Sequence, residues 1–199
     1  LSTLGAHQLY VMGTAGEGYA MSNDRFKHVV DVFVDSMRNT GIGMQVGVIS
    51  LATEEVIDRI GYAHDLGVRS FQISLPSWQA VSDTEMMNFF KTVCGAYPDS
   101  EFLHYNLVRT KRILDGDDYR MILDKVPNLV AAKQGSTDMA LIRSWMQKAP
   151  DMQHFMLQAT YGYASQFGEC SLLCAMQGVY PDLTKEYFAA GSNGDVART

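Results

Sequence analysis

One lysine ends a short, otherwise apolar run: Leu129-Val130-Ala131-Ala132 leads into Lys133, and Gln134-Gly135-Ser136 follows. At the end of a buried strand an ammonium group loses hydration. That disfavours its charged form, and a neutral amine can attack a carbonyl carbon. The plain alternative is a lysine at a strand terminus with its head in water, and this stretch taken alone favours it. Other reactive or anion-binding groups also fall just past apolar runs: Thr14, Ala15 and Glu17, then Ser50, Trp78, Tyr105 with Asn106 and Arg109, and Thr160 with Tyr161. A hydroxyl, a phenol, a guanidinium and an amine at one mouth suit a small carboxylate-bearing carbonyl compound. Lys133 would form an imine with it, Tyr105 would move protons, and the N–H groups of the Thr14–Gly16 turn would hold the carboxylate. No Ser/His/Asp set, paired carboxylates or histidine cluster with ligand spacing competes. The five histidines are scattered.

The positions of these groups follow from glycine and proline punctuation. Gln8–Met12 reads as a strand that runs into the glycine-rich turn Gly13–Gly18. Ser22 can cap a helix whose stripe is Phe26, Val29, Val30, Phe33, Val34 and Met37. Met44–Ile49 is the next strand. Thr53 opens a helix with Glu54 and Glu55 in its first turn, and Val56, Ile57 and Ile60 lie on its buried face. Ser70–Leu75 is a strand, and Ser82-Asp83-Thr84-Glu85 is a capping box. Glu101–Tyr105 is a strand, and Asp117–Lys125 a short helix before the strand that carries Lys133. Thr137 or Asp138 caps a helix with Leu141, Ile142, Trp145 and Met146. His154–Gln158 is a strand, Cys170–Ala175 a strand or mid-helix, and Pro181 opens a last helix over Asp182–Ala190.

Strands recur roughly every 25–35 residues with one helix between them, the βαβ rhythm of a parallel sheet. A (β/α)8 barrel and an open doubly wound sheet both fit. The Gly13–Gly18 turn matches neither a dinucleotide fingerprint nor a P-loop, which argues mildly against the open nucleotide-binding sheet. In both architectures functional groups gather where strands end.

The composition is that of a globular protein: 199 residues, 47% hydrophobic and 19% charged, enough for one domain. The net charge of −6 argues against a nucleic-acid partner, and no apolar run approaches the ~20 residues of a membrane span. Cys94, Cys170 and Cys174 are odd in number and lack zinc spacing. The reading is free thiols in a cytoplasmic protein. The chain begins at Leu1, on what looks like a helix end (Leu1–Gly5), and is expected to be a piece of a longer protein.

Gly13-Thr14-Ala15-Gly16-Glu17 resembles the Gly-Thr-Thr-Gly-Glu turn of the dihydrodipicolinate synthase/N-acetylneuraminate lyase family. Tyr105-Asn106-Leu107-Val108-Arg109 resembles its Tyr-Asn-x-Pro-x-Arg segment. Ala132-Lys133-Gln134-Gly135-Ser136-Thr137-Asp138 resembles its Schiff-base lysine segment, and the three occur in the family's order. The likeness extends through Gly168–Leu172 and Pro181–Asp195. It implies a single (β/α)8 TIM barrel over residues 1–199, truncated at both ends. Gln8–Met12 would be its second strand and Cys170–Ala175 its eighth, with the first strand and the C-terminal helices missing. It implies a class I, pyruvate-dependent aldolase or lyase. Lys133, Tyr105 and Thr14 would be catalytic, and Ala15, Gly16, Arg109 and Trp78 would bind substrate. The partners would be a 2-oxo acid and an aldehyde. There would be no metal and no cofactor beyond the covalent imine, and the assembly would be a homotetramer.

The departures are informative. The family's second threonine is Ala15 here, so one hydroxyl is lost while the backbone N–H remains. The synthases have Pro-Tyr-Tyr where this chain has Pro76-Ser77-Trp78, and an indole cannot relay a proton through a hydroxyl. That makes lysine biosynthesis doubtful. A tryptophan in this place is similar to the hydratase-aldolases that act on aromatic 2-oxo acids. Leu107-Val108 lacks the proline. A non-catalytic barrel that binds a 2-oxo carboxylate as a sensor is the second reading.

Overall fold

The computed structural model describes residues 7–173 and 175–199. The expected helix end at Leu1–Gly5 and Cys174 lie outside the described residues. Strands and helices alternate in the order β1 (Gln8–Val11), α1 (Asn23–Met37), β2 (Gly43–Gly47), α2 (Thr53–Asp65), β3 (Ser70–Ile73), α3 (Asp83–Gly95), β4 (Glu101–Asn106), α4 (Gly116–Leu123), β5 (Leu129–Gln134), α5 (Met139–Lys148), β6 (Gln153–Met156), α6 (Tyr161–Ala164), β7 (Ser171–Leu172) and α7 (Pro181–Ser192). This is the α/β alternation that the glycine and proline punctuation predicts. The chain divides into two compact units, one ending at His104 and the other beginning at Tyr105.

In the first unit β1, β2, β3 and the start of β4 pair in sequence order, all parallel, with Val46 opposite Phe71 and Phe71 opposite Phe102. Consecutive residues Phe71 to Leu75 are all buried, as expected for a parallel strand covered on both faces. The helices meet the strands through their apolar stripes: Phe26, Val30, Val34 and Met37 of α1, Val56, Ile60 and Ala63 of α2, and Met86, Phe90, Val93 and Cys94 of α3. The Phe90 ring stands edge-on to His104 at 5.0 Å. Ser22 caps α1 by accepting the Arg25 N–H, and Ser82 and Glu85 form the reciprocal capping box of α3.

In the second unit β5, β6 and β7 are parallel, with Lys133 opposite Phe155 and Phe155 opposite Ser171. Asp138 caps α5. α4 begins in a second capping box, Asp115 with Asp118. The stretch Cys170–Ala175 holds a two-residue strand, and a 3₁₀ turn follows at Met176–Gly178. Tyr161, expected at a strand-end mouth, is fully buried. Its hydroxyl donates to the Phe188 carbonyl and meets Ser192, and its ring stacks on Phe188, so it fastens α6 to α7. Among the described residues, no helix is long and apolar enough to cross a membrane.

Two of the five histidines, His104 and His154, are buried in these cores. Burial pushes the His104 imidazole down to about 3 and lowers that of His154 as well. Both therefore stay neutral in the folded chain at pH values where an unfolded imidazole charges. The unfolded state binds the extra protons, so stability is full above the ordinary histidine range near 6.5 and is lost as pH falls below it. The expected slope for His104 is about 1.4 kcal/mol per pH unit between about 6.5 and 3. Urea denaturation between pH 7 and 5 measures it, and His104→Gln should flatten the slope. Phe90→Ala should cost about 3–5 kcal/mol against about 1 kcal/mol for Ser82→Ala, and denaturation midpoints read that order directly.

Candidate functional site

Tyr105 and Lys133 come together in the second unit. Tyr105 is the penultimate residue of β4 and Lys133 that of β5, and the Lys133 Nζ lies 4.3 Å from the centre of the Tyr105 ring. Both side chains are half-buried. The lysine is therefore neither a solvated strand end nor a fully dry amine: its head rests on an aromatic face, a cation–π arrangement when charged. Their chain neighbours point the other way. Asn106 and Gln134 are fully buried and bond to each other at 2.9 Å. The Gly135 N–H donates to the Asn106 carbonyl at 2.7 Å, and a Cβ on Gly135 would press on that same oxygen. A glycine after Gln134 is thus what lets the two strand ends close.

The glycine-rich turn lies in the first unit, after β1. Thr14 is half-buried, and Ala15 and Gly16 are exposed. The Glu17 N–H donates to the Thr14 carbonyl and the Gly18 N–H to the Gly13 carbonyl, and Met12 and Glu17 take left-handed backbone conformations with φ of 65° and 53°. A Cβ on either Gly18 or Gly47 would strike the Met12 carbonyl oxygen, so the turn and β2 approach closely only because both are glycine.

Arg59, on α2, is the residue that holds this turn, and it is not among the residues that the sequence singles out. It is 3% exposed and spends all five guanidinium N–H donors: on the Gly18, Met21 and Ile49 carbonyls, the Asn23 side chain and Glu55. Its plane also lies 5.0 Å from the Phe26 ring. A signal was present: an arginine on the apolar stripe Val56, Ile60, Ala63, four residues after a glutamate. Ser50, a strand-end candidate, donates its hydroxyl to Glu55 and belongs to the same framework.

Trp78 follows β3 and is 80% exposed, in a bend. Arg109 lies in the 3₁₀ turn Val108–Thr110 and is exposed, and no salt bridge joins it to any described residue. It stands one residue closer to Tyr105 than the arginine of the Tyr-Asn-x-Pro-x-Arg segment, a shortening that the resemblance passed over. Among the described residues no three His, Cys, Asp or Glu side chains cluster as a metal site.

The chain matches the Dihydrodipicolinate synthetase family over residues 3–199. It belongs to that family. A 4-hydroxy-tetrahydrodipicolinate synthase of Methanopyrus kandleri is 22% identical over 198 residues, which is 98% of this chain and 65% of that protein. Human N-acetylneuraminate lyase is 25% identical over 143 residues, covering 68% of this chain and 43% of the lyase. The chain thus spans just under two thirds of the length of the synthase. Among solved structures, dihydrodipicolinate synthase from Aquifex aeolicus shares the fold with a TM-score of 0.89 at 20% identity, over 99% of this chain and 68% of that one. A prophage protein of the family from E. coli, solved in complex with pyruvate, has a TM-score of 0.88 at 18% identity, over 98% of this chain and 67% of that one.

Removing the arginine that anchors the turn should be costly. Arg59→Met strands three carbonyls and a carboxylate, and the expected loss is about 3–5 kcal/mol. Arg59→Lys should recover little, because an ammonium has three donors and no fork. Denaturation midpoints, with faster amide exchange at Glu17 and Gly18, are the check. Unchanged exchange there would show that the turn stands without Arg59.

Proposed function

We propose that the chain is the catalytic part of a Schiff-base-forming aldolase or lyase that acts on pyruvate or a related 2-oxo acid. The observation that carries the reading is the placement of the Lys133 amine 4.3 Å from the centre of the Tyr105 ring, within a chain of this family. In the reaction the Lys133 nitrogen adds to the C2 carbonyl of the 2-oxo acid, and the oxygen leaves as water to give a protonated imine. That group accepts electron density from C3. When the substrate already carries a carbon–carbon bond at C3, the bond breaks and its electrons are held as an enamine. Run the other way, the enamine attacks an aldehyde. Tyr105 carries protons to and from the oxygens at each stage. The imine is the electron sink, so no cofactor is invoked.

The remaining roles follow the chemistry of the groups. The N–H groups around Thr14, Ala15 and Gly16 suit the 2-oxo acid's carboxylate, with the Thr14 hydroxyl beside them. Arg109 is exposed and joins no described carboxylate in a salt bridge, which suits a distal carboxylate of the substrate. Trp78 offers a flat apolar face, which favours an aromatic or otherwise planar substrate over lysine biosynthesis. A homo-oligomer in the cytoplasm completes the proposal.

Pyruvate with borohydride should add one carboxyethyl group to Lys133, read by peptide mass, and Lys133→Ala should abolish the adduct. Tyr105→Phe should lower kcat by about 10²–10⁴ while the adduct still forms, because the amine is intact. An unlabelled Lys133 in the folded full-length wild-type protein would end this reading.

A further inference from the structure

Behind Lys133 and Tyr105 lies a buried chain of side chains whose hydrogen bonds run in one direction. The Ala149 carbonyl can only accept, so His154 must carry its proton on Nε2, which lies 2.9 Å away. His154 Nδ1 is then an acceptor and takes the Gln134 Nε2 amide hydrogen at 3.1 Å. That turns the Gln134 Oε1 toward Asn106, whose Nδ2 donates to it at 2.9 Å and to the Leu114 carbonyl at 2.9 Å. Asn106 Oδ1 in turn accepts the Leu114 N–H at 3.0 Å. The Trp145 indole N–H closes the cluster on the same Leu114 carbonyl. Reversing any one amide would set donor against donor and acceptor against acceptor along the row.

Asn106 follows Tyr105 on β4, Gln134 follows Lys133 on β5, and His154 lies on β6 opposite Ala132. Strand alternation therefore puts the reactive pair on one face and this row on the other. A slip or splay of β5 against the β4 end would move Lys133 over Tyr105 and break the Asn106–Gln134 bond together. We infer that the Asn106–Gln134–His154 row sets the spacing of Lys133 and Tyr105, with Gln134 a positioning residue for the reactive amine. The inference takes its meaning from Lys133 as the imine-forming residue, and the test separates the two.

Gln134→Met keeps the volume and removes the bonds to Asn106 and His154, together with the one to the Tyr119 hydroxyl. In the full-length protein the rate of pyruvate trapping by borohydride should fall about tenfold or more, because small misplacements of reacting groups are costly. The pyruvate concentration for half-maximal trapping should change about twofold or less, since the carboxylate site is untouched. The Lys133 Hε resonances, displaced by the Tyr105 ring current in protein carrying 13C-labelled lysine, should move toward the values of the other lysines.

Gln134→Glu is the second variant. A carboxylate still accepts from Asn106 but meets His154 Nδ1 only when the imidazole is protonated. Around His154 stand the Tyr119 ring of α4, the Trp145 and Ala149 carbonyls and Ala132 of the adjoining strand; the Tyr119 hydroxyl bonds the Gln134 side chain and burial pushes its pKa well up, so it stays neutral and the introduced glutamate would be the one charged neighbour among these groups. The variant's trapping rate and Lys133 ring-current displacement should both show a pH step, absent in wild type, that coincides with the His154 Cε1–H titration. Wild-type protein that traps no pyruvate would end the aldolase reading, and the ring-current signal would still decide the positioning claim. Lys133 resonances unmoved in Gln134→Met, or a His154 titration in Gln134→Glu without the Lys133 step, would overturn it.

Discussion

A parallel strand covered on both faces cannot place two neighbouring residues on the same side, and β4 and β5 turn that constraint to use. Each ends in a pair: Tyr105 with Asn106, Lys133 with Gln134. One member of each pair meets its counterpart through an aromatic ring and an amine, the other through two amides. A shift of one residue would exchange the two faces at once, leaving an amine in the core and an amide on the half-buried side. Register is therefore the quantity that the surrounding structure has to protect. The close approach of Gly135 to the Asn106 carbonyl acts on the same two strand ends.

The two cations that matter most are handled in opposite ways. Arg59 is taken almost wholly out of water, and every one of its donors is matched, three of them by the backbone carbonyls of Gly18, Met21 and Ile49. Such a group is inert: its charge is permanent, and its task is to fix the loop after β1 against the end of β2. Lys133 keeps access to solvent and rests on a ring, an arrangement that leaves the amine reachable by a small molecule. Burying a charge with full satisfaction builds a framework, and partial burial beside a phenol leaves an amine that solvent and small molecules can still meet.

Local chemistry was legible in the chain, and long-range chemistry was not. Ser22, the Ser82/Glu85 box and Asp138 announce their helices because a cap and its N–H partners lie within a turn of one another. The strand bearing Lys133 announces itself by its apolar run. The Asp115/Asp118 box escaped because a carboxylate replaces the usual serine or threonine. Arg59 escaped because three of its acceptors are backbone carbonyls, which every residue owns. The partners in the Asn106–Gln134–His154 row are 28 and 20 residues apart, and no short window contains them. Nothing in the chain sets His154 apart from the other four histidines, because the partners of its two ring nitrogens, Gln134 and the Ala149 carbonyl, are brought to it only by the fold.

An apolar core could hold β4, β5 and β6 together at least as strongly as the polar row does, since each buried amide forfeits hydration that its new bonds only roughly repay. What methyl groups cannot supply is direction. Leucine against leucine tolerates a slide of an ångström with little change in energy. A one-way row of donors and acceptors tolerates almost none, because each misplaced link leaves a buried polar atom unpaired. The position of the row, one residue past Tyr105 and Lys133, is where that intolerance has most effect on the distance between amine and phenol. The apolar side chains of α4 and α5 supply the cohesion, and the amides and the imidazole supply the coordinate along which nothing is free to slip.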